Sequence, residues 1–413
     1  MLNRLIHDEP WGAQWRSSMY FVVATMAVAL LTDMYLYGFL VPLLPYVLEH
    51  RLGLDEALTQ RFSTALLSQN ALIMVVASPF IGSHADRSGA KRAWLLSGLG
   101  GALLGSLVIA LATSVFTLFA GRLIQSFAST SVWVVGFSTL ADHVPANQIG
   151  RMYGFVTVAV AIGTSAGPLV SGVLFDLGGY WVAWSSVLFI VIVDVIMRCL
   201  MIDNTARDRA AHIKSDEEES ERQTLLSPST DSEEEQTSRT EKTGIHFYKT
   251  LLSNGRFIGG IACYLCFAIL TASFDATLPL HRAHRLAEGS SGYTIPDHDW
   301  LCAARTFVVG DRDPGDERFP WASAGKFGPT MYSVAVCGAG VVICLLNGVG
   351  MMEATQAVDE IQGRSPGIFG RNGGYSRAIS LVSMSWTAGM FIGPILAGYG
   401  VEQIGYYGMN CVL

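Results

Sequence analysis

The sequence predicts an all-α integral membrane protein, a helical bundle of about nine transmembrane helices arranged as two repeats. Composition is the first ground for this. Of 413 residues, 51% are hydrophobic and 15% charged, and mean hydropathy is +0.38, too apolar for a water-soluble chain of this size. The second ground is spacing: apolar residues fall into runs of about 20, the length that crosses roughly 30 Å of hydrocarbon as helix. The run MYFVVATMAVALLTDMYLYGFLVPLLPYV lacks the period of two that a spanning barrel strand requires. The third ground is an internal repeat. RMYGFVTVAVAIGTSAGPLVSGVLFDLGGYW, from Arg151, superimposes at a constant offset on RAISLVSMSWTAGMFIGPILAGYGVEQIGYY, from Arg377: Arg, GxxxGPxxxG, an acid and GY coincide.

Taken in order, six spans are expected in the first half, at roughly 19 to 46, 64 to 84, 93 to 112, 115 to 140, 152 to 175 and 181 to 202. The first run is too long for the apolar core of a cleavable signal peptide and continues past Pro42, so it is expected to be the first span. Residues 1–202 then form an amino-terminal six-helix repeat. Residues 203–247 are charged, Ser/Thr-rich and almost free of aromatics, the composition of a disordered linker. Residues 248–413 form a second repeat with spans at about 256 to 280, 330 to 352 and 376 to 400, interrupted by an irregular polar segment at 281–329 without an apolar run of 18. Arg4, Arg16, Arg87, Lys91, Arg92, Arg151 and the linker lie on one side, and the joints near 113 and 178 carry no Lys or Arg. The amino terminus, basic joints and linker are therefore expected to be cytoplasmic. The net charge of -7 owes much to the acidic linker.

Within the spans, ionisable residues stand out because each costs a few kcal/mol in hydrocarbon unless it faces protein or water. Asp33 lies near the middle of span one with Tyr37 one turn on, and Asp275 in span seven is its rough counterpart. Desolvation raises a carboxylate's affinity for a proton, so such a group exchanges protons near neutral pH or pairs with a cationic substrate. Arg122 sits two turns inside span four, and Gln125, three residues on, shares its face. Asp194 and Arg198, four apart in span six, are expected to pair locally. Asp86 closes span two beside a basic joint, placed to cap the next helix or to pair with Arg92, a pair that exists only while the cytoplasmic ends of the spans are together. Gly163 and Gly167, like Gly389 and Gly393, are four apart, which lets another helix approach closely, while Pro168 and Pro394 bend their helices. The seven cysteines are expected to act as small buried hydrophobes, including the Cys263–Cys266 pair. No Ser/His/Asp grouping, P-loop or metal-ligand spacing points to an enzyme, and His281 and His284 beside arginines fit a basic cluster at the membrane edge.

These residues resemble the major facilitator superfamily, in its drug/proton antiporter branch, which includes fungal metabolite exporters and vesicular amine transporters. Gly163, Gly167, Pro168 and Gly172 match the branch's antiporter signature in span five. Gly82, Asp86, Arg87, Gly89 and Lys91 match the loop between spans two and three, with His84 at a usually apolar position, Ala90 where Arg is frequent, and Arg92 beside it. Arg122 and Gln125 resemble the span-four motif, with Ser126 in place of Gly, and Pro42 and Pro45 match span one. The resemblance implies twelve helices in two halves, no cofactor, and proton-coupled export of small organic molecules such as drugs or secondary metabolites. Protons, a small-molecule substrate and the lipid bilayer are the implied partners, with no nucleic acid. Two spans and a second basic joint are missing from the expected pattern between span seven and residue 330, and a twelfth span after Gly400, so the alternative is a non-transporting remnant or regulatory membrane protein from a truncated or mis-assembled gene. The plasma membrane is the expected location; ERQTLL, Glu221 to Leu226, resembles an acidic dileucine sorting signal and offers a vacuolar or vesicular membrane as the alternative.

Overall fold

A computed structural model describes residues 12–88, 91–145, 147–201, 247–289, 349–364, 369 and 374–412. A short helix α1 (Ala13–Arg16) precedes α2 (Met19–Tyr46), which runs into a π-helical turn at Val47–Arg51. There follow α3 (Glu56–Ser88), α4 (Lys91–Ala110), α5 (Val115–His143), α6 (Ile149–Leu200), α7 (Gly255–Gly289), α8 (Val349–Arg364) and α9 (Tyr375–Val412). The helix starts are written in the sequence. Ser18 caps α2 by accepting the Phe21 N–H at 3.3 Å, and Ser114 caps α5 by accepting the Thr117 N–H at 3.2 Å, each satisfying an orphan donor of the first turn. At the far end of α2, Pro42 and Pro45 remove ladder donors just before the π turn, and Gly53 then reverses the chain with φ of 69°.

Among the described residues, seven helices are long and apolar enough to cross a membrane. One of them is α6, whose 52 residues reach about 78 Å at 1.5 Å per residue, more than twice the thickness of the hydrocarbon. It breaks at Gly179, where φ is 75°, so it supplies both spans expected at 152 to 175 and 181 to 202. The first-half spans otherwise fall where the sequence puts them.

The second half departs from expectation. Helix α7 continues to Gly289, so the first residues of the segment expected to be irregular are helical, and 290–329 lies outside the described residues. Only the last residues of the span expected at 330 to 352 are described, and they open α8, which runs on to Arg364. Helix α9 continues twelve residues past the expected end at 400. The linker expected at 203–247 lies outside the described residues except for its final residue, Phe247.

Packing separates two cores. One lies within the first half, built from Tyr35 to Leu48, Leu99 to Ala112 and Tyr180 to Val191. The other joins the halves: Val22 to Leu30, Met74 to Ala85, Val132 to Val144 and Ile149 to Val160 pack with Phe247 to Phe267, Met351 to Ile361 and Ala378 to Val382. Among the described residues, this joint involves the helix ends that carry Asp86, Lys91 and Arg377, so the halves are fastened there.

Candidate functional site

Asp33 is buried on α2, 9% exposed. Its Oδ2 accepts two hydrogen bonds from α5, from Ser129 Oγ at 2.8 Å and Trp133 Nε1 at 2.9 Å. Two donors on one oxygen favour the carboxylate form and offset part of the cost of burying it. Two turns earlier on α5 lies Arg122, 2% exposed. Its Nη1 donates to Gln125 Oε1 at 2.5 Å, Gln125 Nε2 donates to Ser106 Oγ at 3.2 Å, and the guanidinium lies 5.2 Å from the centre of the Tyr37 ring. Among the described residues, Arg122 Nε and Nη2 make no hydrogen bond, and a buried cation whose N–H groups lack acceptors is costly. Asp33 with Tyr37 and Arg122 with Gln125, read from the sequence as two separate pairs, meet where α2 packs on α5. Ser126, where the resembling motif has Gly, is accommodated by its Oγ donating to the Arg122 carbonyl at 2.7 Å.

Asp86 corrects an expectation. It does not pair with Arg92, which is exposed at the start of α4; it crosses to the second half. Its Oδ1 accepts the Ser376 N–H at 3.2 Å, and its Oδ2 accepts the Arg377 N–H at 3.0 Å and Arg377 Nε at 3.2 Å. The carboxylate therefore caps α9, where the orphan amides and the helix dipole favour negative charge. Arg377 is held further by the Phe369 carbonyl at 3.0 Å and by the Phe247 ring at 3.9 Å. Lys91 is turned inward to Asp142 Oδ2 at 2.5 Å and to Ser138 Oγ, which is also 2.7 Å from Ser376 Oγ. That inward turn of Lys91 leaves Arg92 on the outside. Tyr153 OH meets Thr355 Oγ1 across the same joint at 3.0 Å, and Asp359 accepts from Tyr375 behind it. Burial raises the proton affinity of Asp359, which the Tyr375 bond offsets in part. Gly82 is obligatory here, since a Cβ would stand 2.6 Å from the Ser376 carbonyl oxygen. Arg87 is exposed, and Gly89 lies outside the described residues.

The paired glycines pack inside each half. A Cβ on Gly163 would lie 2.4 Å from the Leu31 carbonyl oxygen and one on Gly167 2.7 Å from that of Tyr35, both on α2. On α9, Gly389 and Gly393 stand likewise 2.7 and 2.6 Å from the carbonyl oxygens of Leu265 and Ile269 on α7. Pro168 abuts Gly38, Gly172 is buried, and Pro394 is exposed. Asp194 and Arg198 form the expected ion pair at 2.7 and 2.8 Å, with Arg198 Nη1 also on the Leu95 carbonyl.

Other expectations fare differently. The Asp275 backbone lies in α7, and its side chain is outside the described residues. Cys199, Cys263 and Cys266 are exposed rather than buried, because the outward face of a membrane helix is apolar too. Ser129, Trp133, Ser138, Asp142 and Tyr153 were not singled out from sequence. The signal was present for two of them, since Ser129 and Trp133 follow Gln125 by four and eight residues on one helical face.

The sequence matches the Major Facilitator Superfamily over residues 12–296. The chain belongs to this superfamily. It is 26% identical to the MFS-type transporter ppzB of Metarhizium rileyi, over 98% of this chain and 93% of that protein. The alignment runs over 469 positions, more than the 413 residues here, so that relative carries stretches without counterpart in this chain. It is 31% identical to the class B tetracycline resistance protein of Escherichia coli over 33% of each chain. The human organic anion transporter MFSD10 has a similar fold, with a TM-score of 0.52 at 16% identity over 95% of this chain and 96% of that one. The protein is therefore a multi-pass membrane protein of a family of transporters, not of enzymes.

Proposed function

We propose that this superfamily member exports small organic molecules, drugs or secondary metabolites, in exchange for protons. The observation that carries this is Asp33, a buried carboxylate in the first span, held by Ser129 and Trp133 and lying in the field of Arg122. Such a group exchanges a proton as its surroundings open and close. The joint at Asp86 and Arg377 supports this reading: read as the cytoplasmic closure, it corresponds to the outward-facing stage of an alternating-access cycle. The tetracycline resistance relative favours outward movement of an organic compound.

The test uses inside-out vesicles with an imposed proton gradient and tetracycline as the first compound of a panel. Compound-dependent proton release is expected from the wild type and not from Asp33→Asn, which keeps the side-chain volume and loses the titratable group. Equal release from both removes Asp33 from the mechanism. A second reading, a non-transporting or regulatory remnant, draws on the longer alignment with ppzB; no coupled flux with any compound is its expected result. We assign the protein to the plasma membrane, with a vacuolar or vesicular membrane as the alternative if ERQTLL acts as a sorting signal.

A further inference from the structure

The Trp133 indole touches both the proton site and the packing that leads to the joint between the halves. Its Nε1–H donates to Asp33 Oδ2 at 2.9 Å, while its ring lies 5.8 Å from that of Phe137, tilted by 30°. Phe137 meets the Tyr153 ring edge-on at 5.3 Å, and Tyr153 OH reaches Thr355 Oγ1 on α8 at 3.0 Å. Four side chains thus run without a gap from a carboxylate in the first span to the second half of the molecule. All but Thr355 stand on or against α5, the helix that also carries Ser138 and Asp142 into the joint. We propose that Trp133 is the positioning residue through which the ionisation state of Asp33 governs closure of the cytoplasmic joint, an inference that rests on the proton-coupled function above.

The chemistry gives the direction. An indole N–H is a donor only, and its bond to an ionised carboxylate is roughly twice as strong as to a neutral acid. Ser129 and Trp133 both occupy Oδ2, which leaves Oδ1 to receive the proton. The charged groups acting on Asp33 are Arg122 on α5 and Arg198 on α6; Asp194 neutralises Arg198, and Tyr37 stands one turn away on α2 itself. Ionised Asp33 anchors the indole, the indole supports Phe137 and Tyr153, and the joint stays shut. Protonation removes the charge assistance and frees the ring, shifting the balance toward opening by roughly fivefold. By reciprocity an opened joint binds the proton more tightly by the same factor. This order suits an exporter: a proton taken from outside while the inner side is shut drives the opening inward.

The experiment is an infrared titration of the full-length protein in lipid nanodiscs, following the protonated carboxyl band lost in Asp33→Asn. Trp133→Phe keeps a ring against Phe137 and removes the N–H, so the midpoint should move up by roughly one pH unit. Tyr153→Phe and Thr355→Val each loosen the joint far from Asp33, and each should also raise the midpoint. In the Trp133→Phe background neither should raise it further. The inference is overturned if Trp133→Phe leaves the midpoint in place, or if Tyr153→Phe and Thr355→Val shift it equally with and without the indole N–H. A wild type with no Asp33 band titrating at any accessible pH overturns the proton-coupled function itself, and this inference with it.

Discussion

Replacing Asp86 by Asn should open the joint between the halves. The carboxylate is 3% exposed and its partner Arg377 6% exposed, so little solvent screens the pair. Three bonds converge on it, at 3.0, 3.2 and 3.2 Å. Removing one partner of a buried ion pair costs about 3–5 kcal/mol, chiefly because the other charge is left uncompensated. Asn retains a carbonyl oxygen for one backbone N–H, which places the loss near the lower end, about 3 kcal/mol. At 1.36 kcal/mol per power of ten, the closed arrangement should lose roughly a hundredfold against the open one. The Ser138–Ser376 and Tyr153–Thr355 contacts remain, so the closed population should fall without vanishing. Spin labels at Arg92 and Gly363, both exposed near the joint and with nothing within 4 Å of a Cβ at Gly363, report the change by pulsed dipolar spectroscopy in a cysteine-replaced background. A longer distance should appear in Asp86→Asn and stay minor in the parent. Superimposable distance distributions would refute the assignment of Asp86 as the fastening of the joint.

Gly167→Leu should destabilise the first half rather than alter its exchange with the second. Its Cβ would stand 2.7 Å from the Tyr35 carbonyl oxygen and 2.9 Å from the Phe39 nitrogen, backbone atoms that cannot swing aside. Overpacking of this kind costs about 1–3 kcal/mol, readable as a lowered melting temperature in detergent, and an unchanged melt would show that α2 and α6 are not held at this distance. The pair Leu225→Ala and Leu226→Ala should leave a fluorescent fusion at the plasma membrane; a fusion that is vacuolar before the change and at the cell surface after it would establish ERQTLL as the address.

The fold was legible because hydrocarbon thickness forces runs of about 20 apolar residues, and no soluble core imposes that length. The break in α6 was legible for a different reason: Gly178 and Gly179 sit between two such runs, and φ of 75° at Gly179 suits a residue without Cβ. The pairs Asp33 with Tyr37 and Arg122 with Gln125 were legible because ionisable residues in spans are expensive and few; that the two pairs meet was not. Nor were their anchors. Ser129 and Trp133 are ordinary residues for a packed helix, and only the approach of α2 to α5 gives them a carboxylate to bind. The partner of Asp86 was the least legible feature, since Arg377 lies 291 residues away and a nearer cation, Arg92, satisfies the same local pattern.

The internal repeat carries a further lesson when its equivalent residues are compared. Arg151 and Arg377 occupy the same place in the two copies, yet Arg151 is exposed and Arg377 is buried on Asp86. The difference does not lie in the arginines; it lies in the carboxylate, because the basic joint carrying Asp86 has a readable copy only in the first half. The glycines behave oppositely: Gly163 and Gly167 against α2, and Gly389 and Gly393 against α7, make the same close approach in both copies. Small residues permit an approach of helix backbones too close to be opened cheaply, whereas a few polar atoms across a joint exchange partners at modest cost. What the two copies share is therefore the internal assembly of each half, and what they leave unequal is the polar contact that fastens the halves to each other.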